Sequence, residues 1–217
     1  MKATKTFDIN CRKCERLANF LDEVSEKYPD YFAKPVPAFG DKNAQLLIVG
    51  LAPGMHGANA TGRPFTGDYA GILLYETLHK FGFSNNSESV SVKDGLKLNN
   101  CRITNAVKCL PPQNKPVGEE IKTCNDFLKH ELNALPQGAV ILALGSIAHN
   151  AVIKAFELKI KGYPFVHNKS HQVTDDLTLI DSYHCSRYNT QTKRLTTPMF
   201  HDVFDHIREH IDTTVCP

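Results

Sequence analysis

The stretch AQLLIVGLAPGMHGANATGRPFTGD, residues 44–68, joins a short apolar run to a long irregular loop. The run is apolar at almost every position and ends near Gly50, which predicts a strand covered on both faces. The loop Gly50–Asp68 contains five glycines and two prolines, together with a histidine, a phenylalanine and an aspartate. So many glycines predict backbone that lies close to a flat or bulky ligand, because a glycine has no side chain to hold the ligand away.

The glycine-rich loop does not match the common phosphate-binding patterns. It lacks the GK[ST] ending of a P-loop and the GxGxxG spacing of a dinucleotide site. Phe65, near the end of this polar loop, fits two roles: a stacking platform for a ligand, or a cap on the core beneath the loop. The spacing of the residues alone favours the cap.

The rest of the chain alternates apolar strands with helices. Strands are predicted at 101–108, 138–145 and 177–184, and helices at 68–82, 118–135, 146–156 and 196–211. This alternation is typical of an α/β protein, here three α/β/α layers with a central four-stranded parallel sheet. Ligands of such sheets bind at the carboxyl ends of the strands, where the polar loops after strands one, two and four meet.

The composition is that of an ordinary globular protein. Hydrophobic residues make up 41% and charged residues 22% of the 217-residue chain, and the formal net charge is +2. We expect one domain over residues 1–217. No apolar run is long enough to span a membrane, and no apolar signal-peptide core follows the basic N-terminus. A cytoplasmic protein is therefore expected.

Four of the seven cysteines form a pattern. Cys11 and Cys14 are separated by two residues, and Cys109 and Cys124 by fourteen. In a reducing compartment, grouped cysteines indicate metal binding or catalysis rather than disulfides. The other three have no obvious partner and are expected to be buried thiols: Cys101, Cys185 and Cys216.

Three segments of the chain resemble the signature segments of the uracil-DNA glycosylase superfamily: GLAPGMHGANATGRPFTGD, ITNAVKCLPPQNKPVGEEIKTC and YHCSRYNTQTKRLT. They are most similar to the iron-sulfur type B enzymes, called family 5. The related family 4 enzymes carry a glutamate where this chain has Leu51, and the type B pattern has a leucine there. The match runs in order from about Cys11 to Thr196.

The resemblance implies a DNA repair enzyme that hydrolyses the N-glycosidic bond of uracil in DNA and leaves an abasic site. Hypoxanthine and other deaminated bases are further expected substrates. The base must be flipped out of the duplex into a pocket before the bond can be reached. A rival function is a metal-clipped nucleic-acid-binding module of the same fold without catalysis. We expect a monomer at the nucleoid, with DNA as its partner.

The resemblance also implies which residues bind the substrate. Phe65 stacks on the flipped base, and the carboxamide of Asn105 pairs with the polar edge of uracil. Arg187, or its neighbour Tyr188, enters the gap left in the duplex or contacts phosphate. The other residues implied to lie against the nucleotide belong to the glycine-rich loop: Gly50, Ala52, Gly54 and His56.

Catalysis is assigned to three residues. His184 matches the histidine that the family places against a uracil carbonyl oxygen, where a donor stabilises the charge of the leaving base. Asp68 is a candidate to orient water or stabilise the cationic sugar, and it is equally a candidate N-cap for the following helix. Asn189 is a second candidate to position water, and His56 is a weaker one.

The resemblance implies that Cys11, Cys14, Cys109 and Cys124 bind a 4Fe-4S cluster of structural role. Such a cluster would clip the N-terminal segment, residues 1–40, to the loop after strand two. Zinc is the rival, since four thiolates bind it equally well. Two positions depart from the family pattern. Cys185 stands where the family usually has a proline, and Ala60 stands where a larger polar residue is frequent.

Overall fold

The computed structural model describes residues 6–215, and within them six strands form one sheet. The strands are β1 (Phe39–Gly40), β2 (Leu46–Gly50), β3 (Cys101–Asn105), β4 (Val140–Leu144), β5 (Ser170–Gln172) and β6 (Thr178–Ser182). Their order across the sheet is β1-β3-β2-β4-β6-β5. The four central strands, β3-β2-β4-β6, run parallel, which confirms the predicted parallel sheet.

The two outer strands were missed by the sequence analysis. β1 pairs antiparallel with β3, and β5 pairs antiparallel with β6. They span two and three residues, so neither contains enough positions for a period-two pattern to stand out. The sheet is therefore mixed, with a four-stranded parallel centre and a short antiparallel strand at each edge.

Seven α-helices lie in the described part of the chain. They are α1 (Glu15–Lys27), α2 (Ala58–Thr61), α3 (Tyr69–Lys80), α4 (Gly118–Asn133), α5 (Ser146–Ala155), α6 (Arg187–Gln191) and α7 (Thr197–Val215). Single turns of 3₁₀-helix lie at Pro112–Asn114, after β3, and at Ile160–Gly162, before β5. None of the described helices has both the length and the apolar character needed to cross a membrane.

The core lies in two halves, one on each face of the sheet, as β2 illustrates. Leu46 and Ile48 point into the cluster that contains α3 and α7 side chains, whereas Leu47 and Val49 point into the cluster of α4 and α5. Successive side chains of a strand alternate between faces, so every position of β2 is buried. This is the predicted three-layer arrangement.

The N-terminal segment packs as a third cluster beside the sheet. α1 buries Leu17, Leu21 and Val24 against Val107 and Phe127. The segment therefore covers the start of the loop that follows β3.

The chain after α1 connects two loops by backbone hydrogen bonds. Phe32 N–H donates to the carbonyl of Ala60 and Ala33 N–H to that of Asn59, both at 3.0 Å. Three residues later, Val36 N–H donates to the carbonyl of Lys108 at 2.7 Å. Residues 32–36 thus join α2 of the glycine-rich loop to the residue next to Cys109.

A buried group of polar side chains anchors β6, the strand that leads to His184. Asp181 Oδ1 lies 2.7 Å from Nδ1 of His149, and Oδ2 lies 3.2 Å from Nε2 of His171. Nε2 of His149 donates to the carbonyl of Tyr163 at 2.8 Å. Both nitrogens of the His149 ring therefore have hydrogen-bond partners.

Two of the three spare cysteines can be checked. Cys101 and Cys185 are fully buried, as predicted. Cys216 lies outside the described residues.

Candidate active site

A cavity of about 400 Å³ opens at the carboxyl ends of the parallel strands. It lies where the rule for parallel sheets predicts, because β2, β3 and β6 all deliver their loops to this edge. Seven residues predicted for binding or catalysis line it: Ala52, Gly54, Phe65, Asp68, Asn105, His184 and Arg187. Three predicted residues do not, namely Gly50, His56 and Asn189.

Asn105 is the last residue of β3 and lies opposite Gly50 in the register of the sheet. Its side chain is buried, and its Oδ1 has no hydrogen-bond partner within the described structure. A buried acceptor without a partner is costly, so this atom is a candidate to accept a hydrogen bond from a ligand.

Gly50 makes room for its neighbours rather than lining the cavity. A Cβ at this position would lie 2.4 Å from Oδ1 of Asn105 and 2.7 Å from Cζ of Phe65. Both contacts are too close for real atoms. Any side chain at Gly50 would push these two residues out of place, so the glycine determines the shape of the cavity wall.

Phe65 has a backbone conformation that bulky residues rarely adopt. Its φ is 55°, in the left-handed region. The Phe65 carbonyl oxygen lies against Gly71, and it fits there because Gly71 has no side chain. Its ring is buried in the core and also stacks on the His184 ring, with centroids 5.9 Å apart and planes at 29°. Phe65 thus caps the core and forms a wall of the cavity at once. Strain of this kind is typical of binding sites.

The glycine-rich loop is held from below by Arg63, a residue that the sequence analysis did not single out. Its guanidinium is buried and pairs with Asp94, with further hydrogen bonds to Ser89 and Thr66. This network joins the loop to the segment after α3. Because a buried cation needs a partner, Arg63 and Asp94 keep the two segments together.

His184 follows β6 by two residues and faces the cavity. Burial lowers the pKa of its ring from the ordinary 6.5 to about 4, so the ring is neutral at pH 7. A neutral imidazole has one N–H donor and one acceptor nitrogen. The cavity therefore holds a histidine that donates a hydrogen bond without carrying a charge.

Asn189 lies beside His184 rather than in the cavity. Its Nδ2 donates to the backbone carbonyl of His184 at 2.8 Å. It belongs to α6, whose N-cap Ser186 accepts a hydrogen bond from the Asn189 N–H. The sequence analysis treated this segment as a polar loop. The observed contact of Asn189 holds the backbone that carries His184.

Asp68 caps a helix and also lines the cavity. It is the N-cap of α3, since Oδ1 accepts from the N–H of Gly71 at 3.0 Å. It also lines the cavity, and Oδ2 lies beside Gly57, where a Cβ would come within 2.7 Å of it. Burial raises the pKa of the carboxyl, and the backbone N–H groups of the helix start oppose that rise. One oxygen caps the helix, and the other lies beside Gly54 and Gly57.

His56 points away from the cavity towards the N-terminal segment. Its Nδ1 and the hydroxyl of Tyr31 are 2.8 Å apart in a hydrogen bond, and its ring meets Tyr28 and Tyr31 edge-on. Arg187, in contrast, lines the cavity with its guanidinium 4.8 Å from the centre of the Tyr69 ring. Arg187 is thus a predicted residue that places a cation at the cavity.

Four cavity residues were missed by the sequence analysis: Ala58, Ala70, Asn114 and Ser186. The two alanines carry no chemical signal. Ser186 is adjacent to a predicted residue, and Asn114 follows two prolines in a loop whose path cannot be read from a pattern.

The four patterned cysteines line a second, smaller cavity next to α1. Cys11 and Cys14 come just before α1, Cys109 follows β3, and Cys124 lies in α4. Burial, together with the nearby thiols, raises the pKa of the Cys109 thiol. Thiolates at this place therefore need a positively charged partner, as a metal centre supplies.

Another group of possible metal-ligand atoms lies within residues 6–215. The ligand atoms of His149, His171 and Asp181 are within 4.8 Å of one another, and all three residues are buried.

Comparison with known proteins gives a family match and several relatives. Residues 37–208 match the model of the Uracil DNA glycosylase superfamily. The chain is 45% identical over 198 residues to the type-5 uracil-DNA glycosylase of Thermus thermophilus, covering 89% of this chain and 90% of that protein. It is 40% identical over 201 residues to the type-5 enzyme of Pyrobaculum aerophilum, covering 90% and 86%.

A more distant relative agrees, and one solved structure is similar in fold. The type-4 uracil-DNA glycosylase of Archaeoglobus fulgidus is 32% identical over 166 residues, covering 76% of this chain and 69% of that protein. The crystal structure of wild-type SMUG2 from Pedobacter heparinus is similar in fold, with a TM-score of 0.50 at 14% identity over 99% of this chain and 93% of that one. The resemblance seen in the three sequence segments is confirmed: the chain belongs to the uracil-DNA glycosylase superfamily.

Proposed function

We propose that this protein is a uracil-DNA glycosylase of the type-5 group, which hydrolyses the N-glycosidic bond of uracil in DNA and leaves an abasic site. The observation that carries this proposal is the convergence of Phe65, Asn105 and His184 on one cavity. A flipped pyrimidine requires these three features: the ring of Phe65 to stack on, the buried amide of Asn105 with its unpartnered oxygen, and the neutral donor of His184.

Base recognition rests on Asn105 and Phe65. Uracil presents an N–H between two carbonyl oxygens, so Oδ1 of Asn105 accepts from the base while Nδ2 donates to a neighbouring carbonyl. The base stacks on the Phe65 ring, and this stacking contributes roughly 1–3 kcal/mol to binding. A cavity of about 400 Å³ also has room for a purine. We therefore extend the proposed substrates to hypoxanthine and other deaminated bases.

His184 acts on the leaving base. As the glycosidic bond breaks, negative charge develops on the base and spreads to its carbonyl oxygens. The neutral ring of His184 donates its N–H to one of these oxygens, and burial keeps that donor fixed in a site of low dielectric. The contact is strongest in the transition state, so it lowers the barrier more than it tightens substrate binding.

Asp68 acts on the sugar side. Its Oδ2 lies by Gly54 and Gly57, whose backbones can approach the nucleotide closely. A carboxylate there stabilises the cationic sugar or orients the attacking water. Since Leu51 is apolar, Asp68 is the carboxylate that the cavity offers for this step.

Asp68→Asn should lower the single-turnover rate of uracil excision by about 10²-fold. The substitution removes the charge but keeps a side chain that caps α3 equally well, so the melting temperature should stay within a degree or two. Asp68→Ser, another good cap without charge, is the matched control for the helix. An unchanged rate in both variants would make Asp68 a capping residue only.

We infer that Cys11, Cys14, Cys109 and Cys124 bind a 4Fe-4S cluster. The four cysteines line one cavity, which supports a shared metal centre, and the resemblance of the sequence segments to the iron-sulfur type B enzymes favours a cluster over zinc. When bound, the cluster supplies a structural link between its four ligands. It would clip the N-terminal segment, residues 1–40, to the rest of a single domain.

The function is tested with duplex oligonucleotides that contain one uracil opposite guanine or adenine, followed by alkali to cut abasic sites. We expect strand cleavage at the uracil with the wild-type protein and almost none with His184→Ala. Binding to uracil DNA without alkali-sensitive sites would instead support a non-catalytic nucleic-acid-binding module. We also propose a monomer as the default state, working at the nucleoid, where its DNA substrate lies.

A further inference from the structure

Three buried side chains meet near one edge of the sheet: His149 of α5, His171 of β5 and Asp181 of β6. One ligand atom from each lies within 4.8 Å of the other two. None of the three residues lines the active-site cavity or the cavity of the four cysteines. The group therefore belongs to neither of these sites, and the proposed glycosylase function gives it no role.

The atoms of this group are those that zinc and similar transition metals prefer. Two imidazole nitrogens and one carboxylate oxygen are ligands of known zinc sites, where water or a further ligand completes the tetrahedron. Magnesium and calcium, in contrast, prefer sites built from oxygen atoms. The side chains of His149, His171 and Asp181 thus offer three ligands to an ion of the zinc type.

The distances within the group are close to those around a metal ion. Oδ1 of Asp181 lies 2.7 Å from Nδ1 of His149, and Oδ2 lies 3.2 Å from Nε2 of His171. Around a tetrahedral zinc with bonds of about 2.0–2.1 Å, neighbouring ligand atoms are about 3.3–3.4 Å apart. Small rotations of the three side chains are therefore enough to place their atoms around one ion.

The hydrogen bond on the far side of the His149 ring determines which of its nitrogens faces the group as an acceptor. Nε2 donates to the carbonyl of Tyr163 at 2.8 Å, and a carbonyl only accepts. In the neutral ring, Nδ1 then carries a lone pair that points at the Asp181 carboxylate. Two acceptors at 2.7 Å repel each other unless a proton or a metal ion lies between them. Metal-binding histidines typically donate their second nitrogen to a carbonyl in this way.

The carboxylate of Asp181 needs a positive partner. It is fully buried, and its ion pairs in the described part of the chain are with the two histidines and with no lysine or arginine. Besides the histidines, it accepts from the N–H of Val166 at 3.3 Å. A buried carboxylate without a compensating charge is costly. A metal ion between the three side chains supplies that charge.

The surroundings combine an apolar wall with a route for the ion. The ring of Phe165 lies edge-on to His149, and that of Tyr163 edge-on to His171, with centroids 5.8 and 5.9 Å apart. His171 lies between two exposed residues of β5, the strand at the edge of the sheet, and 7% of its surface remains exposed. An ion therefore reaches the group from the side of His171.

We propose that His149, His171 and Asp181 bind one divalent transition-metal ion, with zinc as the best match, and that this ion joins α5 and β5 to β6. β5 has three residues, so a shared metal gives this edge strand a firm link. β6 ends two residues before His184, and the ion therefore also steadies the strand that leads into the active site. Its role is structural, since its ligands do not line the active-site cavity.

The first test is zinc binding to the full-length protein. The protein is treated with EDTA, its remaining iron and zinc are measured, and zinc alone is then added in a calorimeter. Metal still held by the four cysteines is thus not counted. We expect one further zinc per chain and a melting temperature that rises with zinc concentration. No zinc binding by the wild type would overturn the proposal and would mean that a proton holds the group together.

A variant at the edge of the sheet locates the zinc. His171→Gln keeps a donor towards Asp181 but removes the imidazole ligand. We expect it to raise the Kd for zinc at least a hundredfold. His201→Gln, the same substitution at a histidine of α7, is the matched control and should bind zinc like the wild type. Equal zinc affinity in the two variants would contradict the proposal.

Cobalt(II) distinguishes this group from the cysteines. Nitrogen and oxygen ligands give cobalt weak visible bands, whereas thiolate ligands add an intense charge-transfer band in the near ultraviolet. We expect difference spectra to show the weak bands of a nitrogen and oxygen site in the wild type and to lack them in His171→Gln. Spectra that show thiolate ligands alone, and are the same in both proteins, would overturn the proposal.

Discussion

Cys109→Ser is expected to abolish metal binding at the four cysteines and to release the N-terminal segment from the rest of the protein. Binding energy in structural metal sites of this kind is of order 10 kcal/mol, which is comparable to the whole stability of a domain. Apart from the metal, α1 is held chiefly by the packing of Leu17, Leu21 and Val24 and by the ion pair of Arg16 with Glu120 of α4, which together contribute less than a metal site of this strength. Iron and zinc content, thermal melting and limited proteolysis measure the loss.

The effect of Cys109→Ser should reach the active site. Phe32 and Ala33 pair with α2 of the glycine-rich loop, and α2 contributes Ala58 to the cavity. Hydrogen exchange should therefore speed up at the amides of residues 32 and 33 as well as in α1. Protection of these amides equal to that of the wild type would show that the cavity does not depend on the metal-bound segment.

Cys101→Ala is the control for this experiment, because Cys101 is buried on the other side of the sheet in the core cluster of α3 and α7. It should keep its metal and its proteolysis pattern. Two results would contradict the prediction: Cys109→Ser with full iron content, or wild-type protein that holds one zinc per chain at thiolate ligands and no iron. The second result would mean that the four cysteines bind zinc and not a 4Fe-4S cluster.

His184→Ala is expected to lower the single-turnover rate of uracil excision by about 10²–10³. The donor that His184 supplies matters most when charge develops on the base, so DNA binding should change much less than the rate. His184→Gln keeps a donor of similar reach and should recover part of the loss. Equal losses in rate and affinity would mean that His184 only binds the substrate.

The pKa of His184 adds a test in the absence of DNA. Since the folded-state pKa is lowered from 6.5 to about 4, the unfolded chain takes up a proton in that window and the folded protein does not. Stability should therefore fall as the pH drops from about 6.5 to 4, and His184 should cause no further loss below 4. His184→Gln should show a shallower decline. Urea unfolding at pH 7 and pH 5 measures the difference.

Much of the fold follows from local patterns. The four central strands are short apolar runs between loops. Strands of a parallel sheet that is covered on both faces have such sequences, so these runs predict the sheet. The second predicted strand, 101–108, ends earlier, at Asn105, although Ala106 and Val107 still donate to the carbonyls of Gly50 and Leu51. The short edge strands, α2 and α6 were missed, because elements of two to five residues depend on neighbours distant in sequence. The 13-residue α1 was missed as well.

The candidate site, like the fold, has features that the sequence predicts and others that it does not. The sequence by itself determined the family, the sheet edge where the loops meet and the residue types that arrive there, since these depend on motif order and strand direction. Only the tertiary structure decided that Asn105 is left with an unpartnered oxygen, that burial keeps His184 neutral, and that His56 faces Tyr31 instead of the cavity. Burial and the aim of a side chain are set by residues far apart in the chain, such as Tyr31 and His56, and no local pattern contains them.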